Sequence, residues 1–380
     1  MGTAKPSDRT ELAALWAACF DDTQRYIDYF FDTRFAPENT FITRVDNRIV
    51  AALYVIPYVV DIRGEGVNSA FLVGVATHPD ERKKGYSKAL IKEALLACKD
   101  RGYRYSHLYP FLHAFYRNLG YETVTNRLLV SYDTKALQEA YPIAGYQTKD
   151  ICPADGKTLL SLYDAFMAAR TGHVIRADMN PLLQEHLLDG HGVLLQRNGV
   201  PVGYALYYTG TDGLMAEEFV YLDQDARKEL LAFLCRETME RVLKVGYPYY
   251  EPMAGEKGVI SIAREEYGMG RIISLDGLEV PTQYPGKKTL LLQVEDDYLP
   301  ENRGVYRITA KGGMVSFAKT TEPLLDGEMV CGIGELMAAI SGCLSIRNTN
   351  NYTALPPLTK WWGRLLDFFP TTYPYLFEKY

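Results

Sequence analysis

The chain has 380 residues, of which 47% are hydrophobic and 23% are charged, and its formal net charge at pH 7 is −6. At roughly 100–200 residues per domain, this length predicts two or three domains, and the composition excludes a disordered or fibrous protein. The acidic balance argues against nucleic acid as a partner and mildly favours cationic substrates.

Two further classes of protein are not expected. No apolar run reaches the length of a membrane-spanning helix, and residues 1–10 lack the apolar segment of a secretory signal. We therefore expect a cytoplasmic location without membrane insertion. The cysteines form no CxxC pair and no cluster with histidine, so neither a metal site nor a disulfide framework is predicted.

Hydrophobic periodicity and turn signals in the first third of the chain predict a domain that closes near residue 142. The dipeptide Asp46-Asn47 indicates a hairpin turn. In chain order, the predicted elements are helices over 10–20 and 23–31, strands over 40–45, 48–62 and 71–77, a helix after Gly85, a strand over 104–109, a helix over 112–119 and a long terminal strand over 121–132.

A similar order of elements returns further along, without a close sequence repeat, and predicts a second, diverged copy of the first fold. The last part changes character and ends in an aromatic tail that we expect to be docked. The predicted elements are a helix over 157–169, a hairpin over 193–208, a strand over 214–222 and a helix over 226–245, then strands over 289–294, 304–310 and 314–320 and a helix over 334–343. The predicted domains are 1–142, 143–284 and 285–380.

The segment Arg82-Lys83-Lys84-Gly85-Tyr86-Ser87 lies between a predicted buried strand and a predicted helix. Unpaired N–H groups and the dipole at a helix N-terminus favour an anion, glycine permits close approach, and basic side chains add positive charge. The segment is therefore a candidate pyrophosphate cradle. Taken alone, a basic loop before a helix is more often a solvated connection, so the interpretation depends on context.

That context is the later segment Phe115-Tyr116-Arg117-Asn118-Leu119-Gly120-Tyr121. Together the two segments resemble the GNAT superfamily of N-acetyltransferases, whose motif A reads R/Q-x-x-G-x-G/A and whose later helix often carries Y-x-x-x-G-F/Y. Ser87 departs from the usual second glycine or alanine of motif A but is still small. The resemblance covers about residues 1–140 and implies acetyl-CoA as the co-substrate.

The resemblance also implies which residues contact acetyl-CoA. In the family, the strand before the loop offers backbone groups to the pantetheine arm, and the loop with the helix start holds the pyrophosphate. A plain core role for the strand valine is compatible with this assignment. The cofactor residues implied here are Val75, Ala76, Thr77, Arg82, Lys83, Lys84, Gly85, Tyr86, Ser87, Lys88, Phe111 and Leu112.

Tyr116 matches the family tyrosine that protonates the leaving CoA thiolate. A phenol with a pKa near 10 is a suitable donor to a thiolate whose conjugate acid has a pKa near 8.5. The alternative is a core tyrosine with a bonded hydroxyl. Structural or supporting roles are assigned to the histidines, which are His78, His107, His113, His173, His186 and His191.

The whole-chain order resembles the enhanced intracellular survival (Eis) family, and the segment from Tyr298 to Asn302 resembles the start of the last domain in that family. The expected fold class is α+β, with tandem GNAT folds, each a mixed sheet with flanking helices, followed by a sterol-carrier-protein-like α+β domain. The second GNAT-like domain has the acidic segment 223–227 in place of a cradle, which predicts one active site per chain. The resemblance implies a homohexamer that N-acetylates primary amines of aminoglycosides, polyamines or lysine side chains.

The base that deprotonates the incoming ammonium is not marked in the GNAT motifs. In the Eis family the C-terminal carboxylate reaches the active site, so the resemblance implies this role for Tyr380. An α-carboxyl has a pKa of about 3.5, which burial among aromatic rings would raise. Glu378 is the rival carboxylate, and a tail that only packs is the alternative.

A different class of function also fits the chain, namely an acyl-CoA sensor or lipid carrier in which the GNAT domain only binds its ligand. Tyr116 favours catalysis, because a sensor needs no proton donor at that position.

Overall fold

The computed structural model describes residues 1–141, 145–211, 213–238, 241–324, 329–343, 362–370 and 372–378. The chain divides into a larger unit, formed by Met1–Thr125 with Tyr267–Tyr380, and a smaller unit, formed by Asn126–Glu266. No helix within these described ranges is long and apolar enough to cross a membrane.

The helix boundaries follow local capping signals. Thr23 and Asp223 each accept a backbone N–H in the first turn of the helix that follows, and Gly342 ends a helix in the left-handed conformation. In chain order, the described helices are α1 (Arg9–Cys19), α2 (Gln24–Thr33), α3 (Tyr86–Asp100), α4 (His113–Arg117), α5 (Thr134–Ala140), α6 (Gly156–Met167), α7 (Asn180–His186), α8 (Gln224–Glu237), α9 (Ile333–Ser341) and α10 (Trp362–Phe368).

The first sheet of the larger unit has seven described strands. They are β1 (Gly2–Thr3), β2 (Thr40–Val45), β3 (Arg48–Ile62), β4 (Glu65–Thr77), β5 (Tyr105–Leu108), β6 (Glu122–Thr123) and β14 (Met269–Ile272). Their spatial order is β1-β2-β3-β4-β5-β14-β6. The predicted turn at Asp46-Asn47 is confirmed, because both residues have the positive φ that a tight hairpin requires.

Helices cover both faces of this sheet because β3 is apolar on both sides. Leu53 and Val55 share a buried cluster with Leu90 of α3. Tyr54 points to the opposite face, where its ring packs against Trp16 of α1 with centroids 5.3 Å apart. The sheet is therefore held between α3 on one side and α1 on the other.

The smaller unit contains a second sheet of seven described strands. They are β7 (Asn126–Asp133), β8 (Tyr146–Asp150), β9 (His191–Arg197), β10 (Val200–Gly210), β11 (Gly213–Tyr221), β12 (Val242–Pro248) and β13 (Val259–Glu266). The spatial order is β13-β7-β12-β11-β10-β9-β8.

Two predicted elements are wrong. The long strand over 121–132 is two strands in different sheets, because the N–H groups of Val124 and Thr125 both donate to Gly268 and end the pairing of β6. The predicted helix over 226–245 ends at Glu237, and its last residues belong to β12. The pairing partners that decide both cases are distant in sequence. The division into domains 1–142, 143–284 and 285–380 stays a prediction, and the compact units change at residues 125/126 and 266/267.

The third sheet belongs to the larger unit and follows β14 in the chain. Its strands are β15 (Glu279–Pro281), β16 (Lys288–Glu295), β17 (Gly304–Lys311), β18 (Met314–Thr320) and β19 (Met329–Gly332). The spatial order is β15-β18-β17-β16-β19. Helix α9 leaves β19 and contacts β14 and β6, so it joins the third sheet to the first.

A buried ion pair joins the same two sheets. Nη2 of Arg271, in β14, lies 2.5 Å from Oδ2 of Asp296, which directly follows β16, and both residues are buried. The guanidinium also donates to the carbonyl of Leu119. Asp296 accepts from the side-chain amide of Asn302 at 3.0 Å and from the N–H of Leu299 at 2.9 Å. These partners offset the cost of burying the two charges.

We predict that Asp296→Asn lowers the free energy of unfolding of the larger unit by about 3–5 kcal/mol, because it leaves the Arg271 charge buried without a counter-ion. Urea unfolding followed by near-UV circular dichroism measures the change. The control is Asp297→Asn, which removes an exposed carboxylate paired with Arg303 and should leave the unfolding midpoint unchanged. Equal midpoints for the two variants would contradict the assignment.

Candidate active site

The end of β4 contains a β-bulge at a glycine. Gly74 and Val75 lie opposite the single β3 residue Leu53. Gly74 has a φ of +56°, and a Cβ at this position would lie 2.5 Å from the Trp16 ring, so glycine is required. Gly74 is absent from the predicted site, although an isolated glycine in an apolar strand is a sequence signal for a bulge.

Strand β4 separates from its parallel neighbour β5 shortly before the bulge. The two strands pair only from Ser69–Tyr105 to Phe71–His107. Strand β4 then continues to Thr77, whereas β5 ends at Leu108. The β5-facing backbone of β4 therefore has no strand partner among the described residues, and we call this gap the strand crevice. An extended ligand can form hydrogen bonds along it.

The loop after β4 ends at an uncapped helix. Lys83 and Gly85 have φ values of +66° and +84°. Gly85 is the N-cap residue of α3, and no side chain caps the helix. The hydroxyls of Thr77 and Ser87 lie 2.6 Å apart and tie the end of β4 to the first turn of α3. The first turn thus presents N–H groups and the positive end of the helix dipole beside the strand crevice.

Basic side chains surround this helix start. Arg82, Lys83, Lys84 and Lys88 are all exposed. Lys84 lies 2.8 Å from Glu81, and this hydrogen bond raises the pKa of its ammonium. Lys83 and Lys88 form no ion pair with another residue of the described ranges, so both are available to a phosphate.

Tyr116 lies close to both elements. It is 3% exposed in the buried cluster beneath α3, and Val75, Tyr86 and Phe115 pack against the same cluster. Its hydroxyl makes no hydrogen bond to another described residue. Burial raises the pKa of the phenol above its ordinary value of 10, so the proton stays in place at neutral pH. The group is therefore available as a proton donor.

Phe111 and Leu112 form the exposed edge of this region. They precede α4 and are 72% and 53% exposed. The Phe111 ring lies 5.7 Å from the Tyr116 ring. Such exposed apolar side chains beside a buried phenol can cover part of a ligand.

The predicted docking of the tail is confirmed for its described residues, because Phe377 and Glu378 are buried. The hydroxyl of Tyr267 donates to the Phe377 carbonyl at 3.3 Å. The Tyr267 ring packs on Tyr109, which directly follows β5, with centroids 4.9 Å apart. The tail is thus held near the end of β5 where the strand crevice opens. Tyr380 itself lies outside the described residues.

An acidic loop lies on the other side of β4. Asp21 and Asp22 follow α1 and are exposed, and the Trp16 indole donates to Asp22 at 2.8 Å. The Cys19 thiol, at the end of α1, contacts the carbonyl of Thr77 at 3.5 Å. No sequence motif marks this loop, and the packing of α1 on β4 brings the end of α1 to the end of β4.

The histidines next to these elements have ordinary structural surroundings. His107 is buried in β5, and its Nδ1 lies 2.7 Å from the hydroxyl of Ser69. Burial lowers the pKa of His107 to about 4, so the ring is neutral at pH 7. His78 lies at the end of β4, 3.6 Å from the carboxylate of Asp80.

The corresponding helix start in the smaller unit is occupied by a carboxylate. Asp223 accepts the N–H of Ala226 at 2.8 Å and pairs with Arg197 at 2.7 Å. A carboxylate at this position takes up the N-terminal donors and repels a phosphate. Helix α8 therefore offers no counterpart to the loop before α3.

Comparisons with known proteins agree with this geometry. The family of GNAT acetyltransferase domains matches residues 2–124, and the family of sterol carrier protein domains matches residues 278–375. A comparison with curated protein sequences finds no match.

Three solved structures are similar over the whole chain. A probable N-acyltransferase from Enterococcus faecalis is 22% identical with a TM-score of 0.80, covering 100% of this chain and 98% of the other. A GCN5-related N-acetyltransferase from Anabaena variabilis is 18% identical with a TM-score of 0.78, covering 100% and 99%. Eis1 from Mycobacterium abscessus is 15% identical with a TM-score of 0.70, covering 99% and 98%.

These findings confirm the expected fold class, in which helices flank mixed sheets, a GNAT domain comes first and a sterol-carrier-type domain comes last. The chain is therefore an acetyltransferase that carries a GNAT domain over residues 2–124 and a sterol carrier protein domain over residues 278–375, and it shares its fold with Eis1.

Proposed function

We propose that this acetyltransferase transfers the acetyl group of acetyl-CoA directly to a primary amine of a cationic acceptor, such as an aminoglycoside, a polyamine or a lysine side chain. The observation that carries the proposal is the joint position of the strand crevice, the uncapped start of α3 and the Tyr116 phenol. The cofactor's pantetheine arm would lie along Val75 to Thr77, and its pyrophosphate would face the loop and the first turn of α3.

Each step of the transfer has a group to serve it. The amine nitrogen attacks the acetyl carbonyl carbon, the carbon–sulfur bond breaks, and the leaving thiolate takes the proton of Tyr116. The nitrogen then loses its second proton as the amide forms, and this proton restores the Tyr116 phenol through solvent. The ammonium must lose a proton before attack, and we assign its acceptance to the α-carboxylate of Tyr380. The docking of Phe377 and Glu378 near Tyr109 supports this assignment, because it leads the tail toward the end of β5.

Negative charge on the loop after α1 supports a cationic acceptor. The carboxylates of Asp21 and Asp22 are exposed beside β4, on the loop whose neighbour Cys19 contacts Thr77. Carboxylates at an open site raise the local concentration of cations and attract them over several ångströms. A cytoplasmic location, a homohexameric assembly and a single active site per chain are further parts of the proposal.

Release of free thiol from acetyl-CoA in the presence of an amine panel tests this function. We expect a polyamine, an aminoglycoside and a lysine peptide to react with a kcat/KM at least about 10-fold above that of neutral or acidic amines. Raising the salt from about 0.05 to 0.5 M should reduce the advantage, because the Debye length falls. CoA binding without thiol release for any amine would instead indicate an acyl-CoA sensor.

Two double variants of equal net charge distinguish the contribution of the acidic loop from that of the protein's overall charge. Asp21→Asn with Asp22→Asn should raise KM for cationic acceptors and weaken the dependence on salt. The control, Asp225→Asn with Asp297→Asn, removes two exposed carboxylates elsewhere and should change neither. Equal effects of the two pairs would assign the preference to overall charge.

For the proton donor, we predict that Tyr116→Phe lowers kcat about 100-fold while KM for acetyl-CoA stays within about twofold. Because burial raises the pKa of Tyr116, kcat of the native enzyme should not fall on the alkaline side up to about pH 9.5. The control is Tyr103→Phe, since Tyr103 packs against the same cluster. A loss of less than about threefold in Tyr116→Phe would make Tyr116 a packing residue.

The C-terminal carboxylate is tested by moving it. Deleting Tyr380, or adding one glycine after it, should lower kcat/KM by about 10-fold or more, because the proton acceptor is displaced. Glu378→Gln keeps the terminus in place and distinguishes the rival carboxylate. If the shortened and extended enzymes keep full kcat/KM from pH 6 to 9, Tyr380 is not the base.

A further inference from the structure

The carboxylate of Asp296 holds the turn that follows β16. Oδ1 of Asp296 accepts the N–H groups of Tyr298 at 3.1 Å and of Leu299 at 2.9 Å, while its Oδ2 pairs with Arg271. The Arg271 guanidinium also lies 5.4 Å from the centre of the Tyr298 ring. The backbone and ring of Tyr298 are thus held by groups that are themselves buried.

The side chain of Tyr298 contacts α3, the helix that follows the basic loop over residues 82–85. Its hydroxyl donates to the carbonyl of Lys88, in the first turn of α3. The ammonium groups of Lys88 and Lys92 each lie 6.0 Å from the centre of its ring. Tyr298 is 6% exposed, and Leu299 belongs to the buried cluster beneath α3. A residue of the C-terminal part therefore contacts the start of α3 directly.

Apart from Tyr298, the first turn of α3 is attached through Tyr86, which packs against the buried cluster, and through Ser87. Its N-cap is Gly85, no side chain caps it, and the Thr77–Ser87 hydroxyl contact fixes only the side nearest β4. An uncapped first turn frays easily, and an N–H group in a frayed turn no longer points at a bound anion. A hydrogen bond from a rigid donor to the Lys88 carbonyl holds the turn on its other side.

We propose that Tyr298 is a positioning residue for the cofactor, which fixes the first turn of α3 and the ammonium groups of Lys88 and Lys92 for the phosphates of acetyl-CoA. This inference rests on the proposed use of α3 as the pyrophosphate site. Under this proposal, the sterol carrier protein domain over residues 278–375 contributes a residue to the cofactor site of the GNAT domain. The effect acts on cofactor affinity, because the Tyr298 hydroxyl and ring contact the backbone and the ammonium groups of α3.

The test is Tyr298→Phe, which removes the hydroxyl and keeps the ring. Calorimetry should show CoA binding weakened by about 3- to 10-fold, the range expected for one lost hydrogen bond. KM for acetyl-CoA should rise by the same factor, while kcat at saturating acetyl-CoA and KM for the amine stay within about twofold. Hydrogen exchange of the free protein should speed up in the first turn of α3 and not in its second half.

The matched control is Tyr306→Phe. Tyr306 is a fully buried tyrosine of β17 whose hydroxyl has no hydrogen-bond partner within the described ranges. This variant should bind CoA as the native protein does. If both variants weaken CoA binding equally, or if KM for the amine rises as much as KM for acetyl-CoA, the role of Tyr298 is only structural and the proposal fails.

The outcome also separates this inference from the proposed function. A native protein that does not bind CoA refutes the proposed site in the GNAT domain. A native protein that binds CoA, together with a Tyr298→Phe variant of unchanged affinity and unchanged exchange in α3, refutes the role of Tyr298 alone. Heat-denaturation midpoints of the two variants show whether both are folded under the assay conditions.

Discussion

The buried pair of Arg271 and Asp296 is the interaction on which the larger unit depends. Arg271 stands in β14, inside the first sheet, and Asp296 stands at the end of β16 in the third sheet. Two charges without access to water are tolerated only when each has close polar partners, and here the partners are the Leu119 carbonyl, the Leu299 N–H and the Asn302 amide. The pair therefore fixes the position of one sheet relative to the other.

The same pair orders the start of the C-terminal part. Asp296 holds the backbone of Tyr298 and Leu299, and the Tyr298 hydroxyl meets the first turn of α3. A continuous chain of contacts thus leads from a buried charge to the start of α3. Through Tyr298, the part of the chain that follows β16 packs against the start of α3 in the GNAT domain.

Chemistry at the site depends on a break in regular structure. The bulge at Gly74 and the early end of β5 leave part of the β4 backbone without a strand partner. A fully paired strand has no free hydrogen-bonding groups for a ligand, whereas this edge lies inside the sheet and is still open. Tyr116 lies in the buried cluster against which Val75 of β4 packs, so a buried phenol lies close to this open edge.

The sequence by itself determined the elements whose signals are local. The turn at Asp46-Asn47, the strand before the basic loop, the helix after Gly85 and the motif around Tyr116 all follow from neighbouring residues. The structure has all four, although the strand begins at Glu65 and not at the predicted residue 71. Backbone conformation and hydrophobic alternation are set within a few residues, so they can be read without knowing the fold.

Tertiary structure decided what depends on partners distant in the chain. The segment 121–132 is predicted as one strand, yet its two halves pair in different sheets, and β14 enters the first sheet from far along the chain. The acidic loop, the partner of Arg271 and the contact of Tyr298 with α3 likewise have no local signal. Alternation specifies which side of a strand is buried but not which strand lies beside it, and only packing of the whole unit makes that choice.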